Sequence, residues 1–200
     1  MPASAAPAVH PTDEFQYLAV LISIVLGLGL TQLLTNLGRL AQSRARVRHY
    51  WPATVWTVLL FFILVQSWWA MYDMRGHQGW TFLKFVLILA TPTALYLMAA
   101  LALPEVDARS TEPVDLRAHY FAQTRWFFGA SVALIVSSLL RPLAMDGWIP
   151  LDLDRVIQLV FLAAAASAMF IRREWLHKVL AVGTAGLYAA YVTLLFARLR

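Results

Sequence analysis

Asp115, His119 and Gln123 are the residues whose types and spacing are best suited to chemistry. They lie four residues apart, so on an α-helix a carboxylate, an imidazole and an amide share one stripe. A carboxylate in that position can orient a histidine, and the same stripe can contact a lipid headgroup or a protein partner. Because the stripe opens a hydrophobic segment, decoration of a membrane surface is the simpler explanation. We therefore treat Asp115 and His119 as candidates for an interface rather than for catalysis.

Other polar side chains interrupt the hydrophobic segments at two depths, because depth changes by about 1.5 Å per residue along a helix. The inner layer comprises Gln32, Thr35, Asn36, Tyr96, Gln123 and Thr184, and the outer layer comprises Gln66, Ser137, Ser138, Gln158 and Tyr191. Such layers can line a pathway or a small-molecule site. Alternatively, they bond between helices, where each bond contributes on the order of 0.6 kcal/mol. We expect packing, with Gln32 paired to Gln123 or Tyr96.

Several chemistries are disfavoured by residues that the sequence lacks. No Asp or Glu lies in the middle of a hydrophobic segment, although proton-coupled transporters usually place such a group there. The chain has no cysteine, which excludes disulfides, thiolate metal sites and cysteine nucleophiles. The five histidines lie in loops or near segment ends, and no ligand spacing predicts a metal site. We expect neither a metal nor a cofactor.

Two motifs of membrane enzymes are incomplete in this chain. Arg141-Pro142 matches the end of a lipid-phosphatase element, but the position seven residues earlier, where a lysine is required, is Leu134. The tetrapeptide Gly129-Ala130-Ser131-Val132 lacks the second glycine of the GxSG motif of rhomboid proteases. The sequence therefore predicts a protein that is not an enzyme.

The elements that carry these residues are long hydrophobic segments. The 200-residue chain is 60% hydrophobic and 14% charged, with a mean hydropathy of +0.65, whereas about a quarter of the residues of a soluble domain are charged. This pattern predicts an all-α polytopic integral membrane protein, with a disordered tail over 1–11 and a single bundle over 12–200. The predicted transmembrane helices are about 14–40, 52–72, 80–103, 118–141, 154–171 and 178–197. The polar connection over 104–117 divides them three and three, which has the arithmetic of an inverted pseudo-repeat.

Small residues recur at four-residue spacing within three of these segments. The pairs are Gly27 with Thr31, Ala164 with Ala168, and Gly186 with Ala190. Small residues let helices approach each other closely. We expect these pairs to serve contacts within the chain, with an interface between copies of the chain as the alternative.

Basic residues are distributed unevenly between the two predicted faces. The face that carries the first, third and fifth connections has ten Lys and Arg residues, and the face with both termini has six. The richer face is expected in the cytoplasm, so both termini are predicted to be outside, in the periplasm. Arg outnumbers Lys fourteen to two, which favours a GC-rich genome and hence a bacterial inner membrane. Tryptophans near both ends of the segments, at 51, 56, 126 and 175 and at 68, 69, 80 and 148, fit two interfacial belts.

Two functions are compatible with this pattern. The first, which the sequence favours, is a small channel or facilitator for a neutral solute or ion, without proton coupling. The second is a non-catalytic accessory or scaffold subunit of a membrane complex. The expected partners are the lipid bilayer and either further copies of the chain or a larger complex. The net charge of +5 is attributed to topology and lipid headgroups, and not to nucleic-acid binding.

Overall fold

Six α-helices account for nearly all of the chain that the structure describes. The structure is a computed structural model, and it describes residues 11–71, 79–107, 112–148 and 152–198. The helices are α1 (Pro11–Gln42), α2 (Trp51–Ala70), α3 (Phe82–Ala102), α4 (Leu116–Asp146), α5 (Leu153–Phe170) and α6 (Glu174–Arg198). The predicted all-helical fold is confirmed, and α1 to α5 are each long and apolar enough to cross a membrane. The described part of α6 does not meet that criterion.

The helix bounds follow the hydrophobic segments to within a few residues, except at the end of α4. The sequence predicts an end at Arg141-Pro142, but the helix continues through Pro142 to Asp146. Proline removes one backbone donor from a helix without ending it at every position. The helix ends instead at Gly147, where φ is 78° and the backbone N–H donates to the carbonyl of Leu143 over 3.1 Å. A left-handed glycine after the last turn is the usual stop of a helix.

α3 lies at the centre of the bundle and packs against α1, α2 and α4, whereas α5 packs on α4, and α6 lies mainly against α2. α1 approaches α3 closely at Gly29. A Cβ atom at this position would lie 3.3 Å from the Cα of Tyr96 and 3.2 Å from the side chain of Leu64. A side chain at residue 29 would therefore push the two helices apart.

The connections α1–α2, α3–α4 and α5–α6 meet at one end of the bundle. We call this end the loop end and define it as residues 43–50, 103–107, 112–117 and 171–174. Two short strands join the first two connections, since Val47–Arg48 (β1) pairs in parallel with Val114–Asp115 (β2). A short 3-10 helix, Arg44–Arg46, precedes β1. The alternation of helix direction predicts this meeting of the three connections.

The two halves of the chain are packed differently. α3 is central and buries seven residues between Ile88 and Ala102, whereas α6, over the residues whose burial is described, buries only His177 and Ala181. These two helices would be equivalent in the predicted pseudo-repeat, yet their surroundings differ. The predicted tail falls on residues 1–10, which lie outside the described residues, and on Pro11, where α1 already begins.

Candidate functional site

Three buried or half-buried side chains at the loop end hold the ends of neighbouring helices. The Nδ2 group of Asn36 donates to the carbonyl of Leu103, just after α3, over 3.4 Å. His119 Nε2 lies 3.1 Å from the carbonyl of Leu101, in the last turn of α3. His177 Nε2 lies 2.9 Å from the carbonyl of Ile171, just after α5. The last carbonyls of a helix have no partner within it, so these three side chains satisfy groups that would otherwise be left unpaired.

The hydrogen bonds of His177 define its protonation. A carbonyl oxygen only accepts, so Nε2 carries the proton and donates to Ile171. The other ring nitrogen, Nδ1, then accepts from the hydroxyl of Tyr120, which lies 3.2 Å away. The imidazole is fully buried and meets the ring of Phe121 edge to face at 5.2 Å between centroids. His177 thus ties α6 both to α4 and to the end of α5.

Aromatic rings surround His177 and fill the interior of the loop end. This aromatic cluster comprises Tyr50, Trp56, Tyr120, Phe121, Phe127, Phe128 and His177. The rings of Tyr50 and Tyr120 lie 5.3 Å apart, and those of Trp56 and Phe127 lie 5.4 Å apart. Both distances fall in the range in which ring pairs attract beyond their area burial. The cluster therefore joins the start of α2 to α4 and α6.

One polar atom within the cluster, the hydroxyl of Tyr50, is buried without a hydrogen-bond partner among the described residues. Burial, followed by the nearby charge of Glu174, raises the pKa of Tyr50 to about 12. A cavity of about 10 Å³ lies beside Trp56 and Gln123. That volume matches the roughly 10–15 Å³ that one water molecule requires. This cavity therefore has room for a water molecule and for little more.

Ion pairs brace the surface of the loop end. The guanidinium of Arg117 donates to Glu174 over 2.9 Å and lies 5.4 Å from the ring centre of Phe121. Lys178 Nζ also donates to Glu174 over 2.9 Å. Hydrogen bonds from Lys178 and then Arg117 hold the pKa of Glu174 below its ordinary value. These exposed contacts add a further link between α4 and α6.

The three residues of the predicted stripe, Asp115, His119 and Gln123, make three different contacts. The Asp115 carboxylate accepts hydrogen bonds from the backbone N–H groups of Arg117 and Ala118, at 2.9 and 3.0 Å, and so caps α4. The bond from Ala118 is the main reason that the pKa of Asp115 lies below its ordinary value. His119 bonds to the end of α3, and not to Asp115. Gln123 lines the small cavity beside Trp56.

The predicted polar layers do not form one network. Asn36 is fully buried, with Nδ2 bonded and Oδ1 unpaired. The side chains of Gln32, Gln66 and Tyr96 are half-buried, and Thr35 is exposed. Within the described part of the chain, Gln32 bonds neither to Gln123 nor to Tyr96. Gln158, of the outer layer, accepts from Arg155 over 3.0 Å and donates to Asp154 over 2.7 Å, at the end of the bundle opposite the loop end.

The small-residue pairs also divide. Ala168 is fully buried against the core and Ala164 is half-buried. Gly27 and Thr31 instead lie on the exposed side of α1, where the Thr31 hydroxyl donates to the carbonyl of Gly27 over 2.8 Å. Gly186 and Ala190 are exposed on α6. The close helix contact on α1 is made by Gly29, two residues from the predicted position.

Sequence reasoning did not single out Tyr50, Tyr120 and His177, which form the centre of the loop end. Tyr120 and His177 are 57 residues apart, and no local spacing predicts their contact. A signal does exist for the ion pair of Glu174 with Lys178, because residues four apart face each other on a helix. The same spacing relates Arg117 to Phe121.

The chain matches no known family model, and neither a curated protein nor a solved structure is significantly similar to it. A functional proposal therefore rests on the geometry of the chain itself.

Proposed function

We propose that the chain is an integral membrane protein with six transmembrane helices, which serves as a non-catalytic accessory or scaffold subunit of a membrane complex. The membrane location is supported by the length and apolar surface of α1 to α5. It is also supported by exposed tryptophans near both ends of the bundle. They are Trp51, Trp126 and Trp175 towards the loop end, and Trp68, Trp69 and Trp148 towards the other end. Interfacial belts of tryptophan are typical of membrane proteins.

The observation that carries the scaffold role is the use made of the buried polar side chains. Asn36, His119 and His177 each bond to a carbonyl at the end of a helix. In the membrane, an unpaired carbonyl is costly, so these residues fix where α3 and α5 end. Such a bundle is suited to holding a fixed shape.

A helix surface for a partner is available on α6. No residue over 182–193 is fully buried, and this stretch carries Gly183, Gly186 and Ala190 on its exposed side. A Cβ atom at either glycine would meet no atom of the chain within 4 Å. Transmembrane helices use small residues to approach one another closely. We therefore assign the partner contact to this surface of α6.

Photo-cross-linking in native membranes tests this role. A photoreactive residue at position 186 should give one discrete product, whereas the same residue at Val160, an equally apolar and exposed position on α5, should give none. The product should exceed the 22.5 kDa chain by a mass that is not a multiple of 22.5 kDa. Products at multiples of that mass would mean a homo-oligomer, and equal labelling at both positions would contradict the assignment.

A second candidate, the small channel or facilitator, is favoured by Gln32 and Gln66. Both side chains are half-buried and bond to no other described residue, as expected of polar groups that are available to bind a solute. Gln32→Leu and Gln66→Leu distinguish the two functions. If purified protein in liposomes carries a solute flux that these variants abolish without a loss of thermal stability, the protein is a facilitator. If flux equals that of empty vesicles, the scaffold role stands.

The orientation completes the proposal. Exposed arginines gather at or beside the loop end, at positions 39, 44, 48, 172 and 173. The face richer in arginine is placed in the cytoplasm, so both termini are assigned to the opposite side. A reporter at the C-terminus that works only outside the cytoplasm should be active. Activity of a reporter that works only in the cytoplasm would reverse the orientation.

A further inference from the structure

The end of the bundle opposite the loop end contains a pocket with an arginine. Leu26 of α1, Ser67 of α2, Thr91 and Pro92 of α3, and Arg141 of α4 line it. We call it the Arg141 pocket. Its volume is about 80 Å³, well above the roughly 10–15 Å³ that one water molecule needs. The pocket therefore has room for a group of several atoms.

The described residues place no counter-charge against the arginine of this pocket. In the described residues, the guanidinium of Arg141 has neither a hydrogen-bond acceptor nor an ion-pair partner, and Arg155 lies close enough to repel it. The guanidinium of Arg155 donates to Gln158 over 3.0 Å and to the Ser138 carbonyl over 3.5 Å. Its Nε is buried and unpaired. The neighbouring carboxylate of Asp154 accepts from Gln158. Two cations held together in this way favour an anion between or beside them.

Hydroxyl groups add to the recognition of an anion. Ser137 donates its proton to the Leu134 carbonyl over 2.8 Å, so the 3.1 Å contact between Thr91 and Ser137 uses the proton of Thr91. Among the described residues that line the pocket, this leaves Ser67 as the hydroxyl donor, together with the guanidinium of Arg141. A guanidinium with an adjacent hydroxyl is suited to the oxygens of a phosphate, because its parallel N–H groups match two of them.

An apolar groove adjoins the pocket. It lies between α1 and α2, has a volume of about 280 Å³, and is lined by Ser23, Leu26, Gly27, Leu30, Leu64, Val65 and Trp68. Leu26 lines both the groove and the Arg141 pocket, so the two cavities adjoin at this side chain. A free anion gains no favourable contact from an apolar groove, whereas an acyl chain fits one.

The depth of the pocket agrees with a lipid. Arg141 is five residues before the end of α4 at Asp146, which corresponds to about 7.5 Å along the helix. That is the level of the headgroups if the helix end reaches the membrane surface. Trp68, which lies at the groove, is exposed, and it belongs to the tryptophan belt of this end. The headgroup would therefore lie at the level of Arg141 while the acyl chain lies in the apolar groove.

We propose that the Arg141 pocket binds the phosphate of an anionic membrane lipid, whose acyl chain lies in the groove between α1 and α2. This inference rests on the proposed membrane location. It does not depend on whether the protein is a scaffold or a facilitator. A guanidinium in a pocket between helices is chemically suited to an acidic headgroup.

Native mass spectrometry of the purified full chain tests the inference. Protein is exchanged into micelles with equal amounts of phosphatidylglycerol and phosphatidylcholine, and the lipid that stays bound is counted. One phosphatidylglycerol should remain on the wild type and on Arg125→Gln, a control for charge at an exposed position of α4. Arg141→Gln should weaken phosphatidylglycerol binding by roughly 10-fold to 100-fold. Equal retention by Arg141→Gln and Arg125→Gln would overturn the proposal.

The groove has its own test, which also serves if Arg141→Gln fails to fold. Gly27→Leu fills the groove, while Gly38→Leu places the same side chain at another exposed glycine of α1 with no neighbour within 4 Å. The first should lower phosphatidylglycerol retention at least tenfold, and the second should not. Inorganic phosphate should displace no lipid; displacement at millimolar phosphate would mean a site for a free anion. Equal retention of phosphatidylcholine by the wild type would also refute the proposal.

The membrane location itself is tested separately. If alkaline carbonate releases the chain from membranes, the proposed membrane location fails. If the chain stays in the membrane and shows no preference for phosphatidylglycerol, only the lipid site fails.

Discussion

Replacing His177 with phenylalanine removes two hydrogen bonds while keeping a ring in the aromatic cluster. The variant leaves the Ile171 carbonyl and the Tyr120 hydroxyl without their partner. Tyr120→Phe removes the second of these bonds from the other side and leaves His177 Nδ1 unpaired. The double variant removes both members of the pair and leaves neither group unpaired. These four proteins form a double-mutant cycle around one contact between α4 and α6.

The magnitudes follow from the burial of the groups. A buried hydroxyl left without a partner costs about 1–3 kcal/mol, and an interhelical hydrogen bond in a membrane protein contributes about 0.6 kcal/mol on average. We expect His177→Phe to lower the free energy of unfolding by about 2 kcal/mol and Tyr120→Phe by about 1 kcal/mol. Because the double variant loses the bond to Ile171 but no longer buries an unpaired hydroxyl, its loss should be smaller than that of His177→Phe, about 1 kcal/mol. The coupling between the two residues is then about 2 kcal/mol.

Unfolding by sodium dodecyl sulfate in mixed micelles, followed by the fluorescence of the tryptophans, measures these free energies. Tyr188→Phe is a matched control, since Tyr188 is half-buried on α6 and its hydroxyl bonds to no other described residue. That variant should change the free energy by less than about 0.5 kcal/mol. A coupling below about 0.3 kcal/mol, within the error of additivity, would refute the role given to the bond between Tyr120 and His177.

Three further predictions concern the backbone and the helix cap. Gly29→Ala should destabilise the fold by about 1–3 kcal/mol, because its Cβ would lie 3.3 Å from the Tyr96 backbone. The control Gly27→Ala, with open space around it, should be neutral or slightly stabilising. Equal effects of the two variants in the unfolding assay would contradict the close approach of α1 and α3. Gly147→Ala should cost about 1–2 kcal/mol because φ is 78°, and the control Gly183→Ala, in a helix, should not; a stable Gly147→Ala would argue against this helix end. Asp115 has a pKa below its ordinary value, so its stabilising effect is present above about pH 4 and is lost as the pH falls through the lowered pKa. The melting temperature of the wild type should therefore fall more steeply below pH 4 than that of Asp115→Asn, which keeps the cap without a charge; parallel curves would show that the cap does not depend on ionisation.

The sequence predicts the helices well because the signal is strong. A bilayer requires about 20 consecutive apolar residues, and the chain divides into such segments at its charged connections. The meeting of three connections at the loop end follows from the alternation of helix direction alone. The predicted end of α4 is wrong because Pro142 does not end the helix, which continues to Asp146. Prolines within membrane helices are tolerated when other donors serve the freed carbonyl, and here Arg155 donates to the carbonyl of Ser138.

The rotation of each helix about its own axis is what the sequence leaves open. In a soluble protein the polar face of a helix identifies the buried face. Here the exposed and the buried residues of the helices are both Leu, Ile and Val, so Gly27 and Gly29 look alike in the sequence, although of the two only Gly29 meets another helix. The contact of Tyr120 with His177 depends on the rotation of α4 and α6 together. It was therefore beyond the reach of spacing rules.

The two ends of the bundle differ in how their polar groups are satisfied. At the loop end, the histidines bond to carbonyls of the chain, and Arg117 and Glu174 bond to each other. At the opposite end, Arg141 and the Nε of Arg155 have no such partner in the described residues. A group that is already satisfied gains little from a ligand, whereas an unpaired charge gains a full ion pair. A ligand is therefore expected to change the stability of the second end and not of the first. Hydrogen exchange with and without phosphatidylglycerol should show added protection near the C-terminal turns of α4 and the first turn of α5. No added protection is expected at the start of α4. Protection at the loop end instead would show that the lipid stabilises the loop end and not the end that carries Arg141.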